Sequence, residues 1–90
     1  MISALHIIVQ GRVQGVYFRA YTQKQAQALK LLGFVRNLPN GDVEIVAQGA
    51  YDALQQLLKW CHRGPLLAKV VEVKVDDYQG HETFESFEIR

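Results

Sequence analysis

Ninety residues, 49% hydrophobic and 21% charged with a formal net charge of +1, describe an ordinary globular chain rather than a disordered, fibrous or membrane-embedded one. A chain of this size buries roughly 60–65% of its unfolded surface and its halves would bury too little to fold, so a single domain over residues 1–90 is expected. The weak charge gives no general attraction for nucleic acid or an anionic membrane, and one cysteine, Cys61, excludes an intramolecular disulfide and a cysteine-based zinc site.

Along the chain, Leu5, Ile7 and Val9 alternate with His6, Ile8 and Gln10, the pattern of a strand whose second face is partly covered. No basic segment precedes this apolar stretch, His6 interrupts it, and no run approaches the roughly 20 residues needed to cross a bilayer, so a secretory leader and a spanning helix are not expected and the cytoplasm is. From Phe18 to about Leu32 the period becomes helical: Phe18, Tyr21, Ala28, Leu29 and Leu32 share a stripe, with Gln23, Lys24, Gln27 and Lys30 outside it. Gly33 is expected to end this helix by turning left-handed. FVRN and DVEIVAQ then flank LPNG, whose Asn-Gly pair predicts a hairpin.

Residues 51–62, YDALQQLLKWCH, place Tyr51, Leu54, Leu57, Leu58 and Cys61 on one helical face, and this helix stops before Gly64-Pro65. Val71, Val73 and Val75 alternate with Glu72, Lys74 and Asp76, a strand with one buried face. Residues 76–84 read as a surface loop, after which FESFEIR adds a short strand. The order is strand, helix, strand, strand, helix, strand and tail strand. It predicts an α+β fold, a ferredoxin-like split βαββαβ sandwich with a mostly antiparallel sheet and two helices on one face.

That fold serves many functions, so the activity has to be sought in a site. Residues 11–19, GRVQGVYFR, lead from the first strand into the first helix. Backbone N–H groups near a helix start favour an anion, Gly15 can take positive φ, and the amides from Gln14 to Arg19 can curl into a nest of donors. Arg19 can add a planar fork that matches two phosphate oxygens. A glycine that only turns the chain and a solvated arginine explain the same letters. By spacing alone both readings stay open, since neither the Walker pattern nor the dinucleotide pattern is present.

GRVQGVYFR together with GFVRNLPNGDVEIVAQG resembles the two signature stretches of the acylphosphatase family: Gly11, Val13, Gln14, Gly15, Val16, Phe18 and Arg19, then Gly33, Phe34, Val35, Asn37, Gly41, Val43 and Gly49. The resemblance extends to the Gly64-Pro65 turn and the closing FESFEIR. It implies the same split fold and a hydrolase that cleaves the carboxyl-phosphate bond of acyl phosphates, giving carboxylate and inorganic phosphate without a metal or other cofactor. It also implies that Arg19 binds the phosphate, that Asn37 orients the attacking water, and that the loop Gln14, Gly15, Val16, Tyr17 and Phe18 cradles the phosphate with its amides. Inorganic phosphate or sulfate is expected to bind there, and a monomer with no nucleic-acid or membrane partner is expected.

Other phosphate chemistries fail on their letters. Cys61 is followed six positions later by Leu67 rather than Arg, His62-Arg63-Gly64 does not match Arg-His-Gly, and Asp76-Asp77 is not Asp-x-Asp. RNA stacking is disfavoured because ALHIIVQ and DVEIVAQ carry no aromatic residue. A module of the same fold that binds an acyl phosphate such as carbamoyl phosphate without hydrolysing it is the alternative. His6, His62 and His81 lack a metal-ligand spacing, Cys61 reads as core, and Arg36 is expected on the sheet face opposite Asn37. Trp60 lies off the apolar stripe of its helix, and the letters assign it no role.

Overall fold

The computed structural model describes residues 2–90. The elements run β1 (Ile2–Arg12), α1 (Phe18–Ala28), β2 (Leu32–Asn37), β3 (Val43–Ala50), α2 (Tyr51–Arg63), β4 (Lys69–Asp77) and β5 (Phe87–Ile89). The strands form one sheet in the order β4-β1-β3-β2-β5. β1 pairs antiparallel with β3 and β4, β2 pairs antiparallel with β3, and β5 alone is parallel to its neighbour β2. This is the ferredoxin-like α+β sandwich with an added C-terminal edge strand. No helix among the described residues is long and apolar enough to cross a membrane.

The period-two alternation of the central strands builds the core. Ile7 pairs with Ile45 and Val9 with Val43, all fully buried, and Val35 of β2 joins them. Leu54, Leu57 and Cys61 of α2 and Phe18 and Ala26 of α1 close this layer from the helical side. Each of the Val, Ile, Leu and Phe side chains among them contributes roughly 1.5–3 kcal/mol when fully buried. On the other face Phe34 and Val46 are also buried. Phe34 lies under the last segment of the chain: the Phe84 ring is 6.1 Å from that of Phe34, Tyr78 is 5.9 Å from Phe84, and the Arg90 guanidinium stands 4.3 Å above the Phe34 ring. The segment read as a surface loop thus lays two aromatic rings against the sheet.

Several local expectations are corrected. The first helix ends at Ala28 rather than near Leu32, because Lys30 takes a φ of 60° and Leu31 N–H returns to the Ala26 carbonyl. Gly33 is not the cap. It lies in β2, where a Cβ would come within 1.9 Å of the Val46 carbonyl oxygen, so it permits a close strand crossing.

The buried stripe of α1 is Phe18, Thr22 and Ala26, while Tyr21 is half exposed. Thr22 can be buried because its hydroxyl donates to the Phe18 carbonyl at 2.7 Å, satisfying itself inside the helix. In α2 the face is as expected at Leu54, Leu57 and Cys61, but Tyr51 is exposed at the first turn.

β4 lacks the continuous buried face expected of Val71, Val73 and Val75. Only Val73 packs against the core, whereas Val71 is 76% exposed and Val75 40%. β4 is an edge strand, and a register shift where it pairs with Gln10 and Gly11 breaks the alternation.

Candidate active site

β1 and β2 both run antiparallel to β3, so they are parallel to one another and their C-terminal ends emerge at the same end of the sheet. The loop of residues 13–17 follows β1, and Asn37 closes β2. A cavity of about 320 Å³ lies between them. Gly15, Tyr17, Phe18 and Arg19 line it from the loop and the start of α1, Asn37 lines it from β2, and Val13, Ala20 and Ile89 complete the wall.

The loop is anchored by its apolar members and bent by its left-handed ones. Val13, Val16 and Phe18 are buried, with Phe18 packed on Trp60 at a ring separation of 5.3 Å. Trp60 therefore props the residue that opens α1. Gly15 has φ 75° and Tyr17 φ 64°. A Cβ on Gly15 would touch nothing within 4 Å, so glycine is required there by backbone conformation and not by space.

Tyr17 caps α1 with no side-chain hydrogen bond, and the first turn contains no acidic residue. The first return bond of the helix runs from Tyr21 N–H to the Tyr17 carbonyl at 3.1 Å. The amides of Phe18, Arg19 and Ala20 precede it and have no intrahelical acceptor. This end of the helix therefore offers donors and a positive dipole end to an anion. Arg19 is half buried beside them, and among the described residues it has no ion-pair partner.

Asn37 faces the helical side of the sheet, opposite Val43 in the ladder. Its Oδ1 is buried and receives no hydrogen bond among the described residues. A buried acceptor left unmade costs about 1–3 kcal/mol, so an oxygen held this way is suited to accept a hydrogen bond from a small molecule beside it. Arg36, next in sequence, points to the other face as strand alternation requires, and its Nε bonds the Glu44 carboxylate. His6 Nε2 reaches the same carboxylate at 2.7 Å. Burial pushes the Glu44 carboxyl upward, but the hydrogen bonds and charges of His6 and Arg36 outweigh it and hold the group below its ordinary range.

Of the residues named from the sequence, Gly15, Tyr17, Phe18, Arg19 and Asn37 meet at the cavity. Gln14 and Val16 do not line it. Val16 is buried, and the Gln14 side chain turns to the β2–β3 turn, where its Nε2 donates to the Leu38 and Asp42 carbonyls at 2.8 Å each. Cys61 is fully buried and burial pushes its thiol up to about 12, which leaves it inert as a nucleophile at neutral pH. Val13, Ala20 and Ile89 were not named from the sequence. Ile89 reaches the wall only through the pairing of β5 with β2, which no local pattern announces.

A family model described as acylphosphatase matches residues 5–89. An acylphosphatase of Marinobacter nauticus is 48% identical over 86 residues, covering 96% of this chain and 94% of that protein. Among solved structures, an acylphosphatase from Coxiella burnetii superposes with a TM-score of 0.93 at 39% identity, covering 99% of this chain and 93% of that one. The acylphosphatase from Bacillus subtilis gives a TM-score of 0.92 at 39% identity, covering 100% and 99%.

Proposed function

The chain belongs to the acylphosphatase family and is an acylphosphatase, and from that premise we propose that it holds the phosphate of its substrate in the loop of residues 14–19 while Asn37 presents the attacking water. The observation that carries this reading is one juxtaposition: an uncapped helix start, an arginine with no carboxylate partner among the described residues, and a buried amide oxygen with no internal donor, all at a single cavity.

In this reading the amides of Gln14, Gly15, Val16, Tyr17 and Phe18 and the Arg19 guanidinium bind the phosphate oxygens, neutralising charge in the ground state and in the loose transition state. Asn37 Oδ1 accepts a hydrogen bond from the water and so aims the water's lone pair at phosphorus. Asn37 is neutral and takes no proton itself. A new P–O bond forms to the water, the bond from phosphorus to the acyl oxygen breaks, and the electron pair leaves on the carboxylate. A phosphate oxygen of the substrate receives the water's proton. A carboxylate leaves readily, so no strong general acid is needed, and positioning with charge stabilisation supplies the catalysis. No metal or cofactor takes part in these steps. The chain acts as a monomer in the cytoplasm, with inorganic phosphate as product and pocket ligand.

The test is hydrolysis of benzoyl phosphate in the presence of EDTA, with inorganic phosphate as inhibitor. Wild type is expected to turn over and to be inhibited competitively, and Arg19→Gln to lose most of that inhibition while remaining folded. A folded Arg19→Gln with unchanged phosphate inhibition sinks the assignment of the phosphate to this cavity. A folded wild type that binds phosphate but hydrolyses nothing makes the cavity a binding module.

A further inference from the structure

The phosphate loop and Asn37 belong to segments separated by the whole of α1, and the chemistry proposed above needs them held at a fixed distance. Gln14 makes a direct polar link between the two. Its backbone belongs to the loop, while its Nε2 donates to both Leu38 O and Asp42 O at 2.8 Å. Those two carbonyls are the ones that close the β2–β3 turn: Asp42 O also accepts from Leu38 N–H at 2.8 Å, and Leu38 O from Gly41 N–H at 3.1 Å. Leu38 directly follows Asn37 in the chain.

A primary amide suits this position because one nitrogen carries two donors at a fixed angle without a charge, so both hydrogens are used and neither carbonyl loses its turn partner. A second glutamine braces the same turn from outside. Gln10 Nε2 donates to Asp42 Oδ2 at 3.2 Å, and Asn40 Nδ2 reaches that oxygen at the same distance.

We propose that Gln14 is a positioning residue whose side-chain amide ties the phosphate loop to the β2–β3 turn and so keeps Asn37 in register with the bound phosphate. The inference rests on the roles given above to the loop and to Asn37. Gln14 does not line the cavity, so its side chain acts through Asn37 and not by touching substrate. The physical consequence is a split between binding and turnover. The loop's own bends are set by Gly15 and Tyr17 and its anchoring by Val13, Val16 and Phe18, so phosphate affinity does not depend on the brace. The placement of the water does.

The experiment compares Gln14→Met, similar in length and lacking donors, in the wild-type and Asn37→Ala backgrounds. It reads kcat and KM for benzoyl phosphate, the inhibition constant of inorganic phosphate, and the urea midpoint. Gln14→Met is expected to lower kcat by about 10-fold or more, since a misplacement near 1 Å can cost about 100-fold, with phosphate inhibition changed by less than about twofold. In the Asn37→Ala background the same substitution is expected to change kcat by less than about twofold, because the group it positions is already gone.

Equal losses of kcat in both backgrounds, or a phosphate inhibition constant that rises as far as kcat falls, would overturn the proposal. If Gln14→Met does not fold, Gln10→Met carries the test. It removes the outer brace alone, and a kcat loss of about two- to threefold that disappears with Asn37→Ala is expected, while a loss that persists there overturns the idea. Loss of phosphate inhibition in Arg19→Gln with no coupling of Gln14 to Asn37 defeats this inference and leaves the proposed function standing. Unchanged inhibition in Arg19→Gln defeats the proposed function itself.

Discussion

Arg19 and Arg36 illustrate two fates of the same side chain in one small sheet. Arg36 lies on the face away from the helices and spends its charge on Glu44, which also takes His6, and nearby Arg90 is held by Glu82 and Glu88. Arg19 sits at the helical side with no carboxylate partner among the described residues, beside amides without acceptors and an Asn37 oxygen without a donor. One face satisfies its polar groups internally and is suited to stability. At the cavity, donors and an acceptor are left over, which a fold tolerates only where a ligand or water completes them.

The sharpest way to break this contrast is to exchange charges on the two sides. Arg19→Gln is expected to lower kcat/KM for benzoyl phosphate by about 1,000-fold, in line with removal of a preorganised charged donor, and to weaken phosphate inhibition. Arg36→Gln, one residue from Asn37, is expected to stay within about twofold of wild type. Comparable losses in both variants would dissolve the distinction. Asn37→Ala is next in size, with kcat down by about 100-fold and KM nearly unchanged, as befits a group that acts on the water and not on the phosphate.

Gly15→Ala tests the backbone of the cradle. It forces a side chain into φ 75° where space is free, so a stability loss of about 1 kcal/mol by urea denaturation is expected, with weaker phosphate inhibition.

The smallest effect belongs to the far face. Glu44 has its carboxyl held below the ordinary value of 4.5, so its contribution to stability is present above that pH and is lost as pH falls through the lowered folded value. Urea midpoints measured across this window are expected to fall less steeply with acid in Glu44→Gln than in wild type, with activity at neutral pH unchanged. Identical slopes would show that the His6–Glu44–Arg36 cluster contributes nothing measurable, as partly exposed ion pairs often do.

The element order, the hairpin at LPNG and the inward faces of β1 and α2 were legible because they follow from local periods of two and 3.6 residues. The end of α1 was not, because Lys30 rather than a glycine takes the left-handed turn. Its buried face was misread because Thr22 counts as polar by letter but satisfies its own hydroxyl within the helix. β4 reads as half-buried by its valines, yet its burial depends on where it falls in the sheet, and it falls at the edge.

For the site, spacing alone left both a turn and an anion cradle open, with the plain turn favoured. The match of two signature stretches named Arg19, Asn37 and the loop, and the folded chain places Arg19, Asn37 and most of that loop around one cavity.

The sequence by itself determined which segments become strands and helices, that Gly15 can turn left-handed, and which family the chain resembles, since each depends on neighbouring residues or on matched letters. Only the tertiary structure decided that Ile89 closes the cavity wall, that residues 78–84 lay their rings on the sheet, and that the Gln14 side chain serves the turn beside Asn37 rather than the cavity. Those facts depend on pairings between distant segments, and a hydrogen bond from a glutamine to a carbonyl two strands away leaves no periodic mark in the chain that makes it.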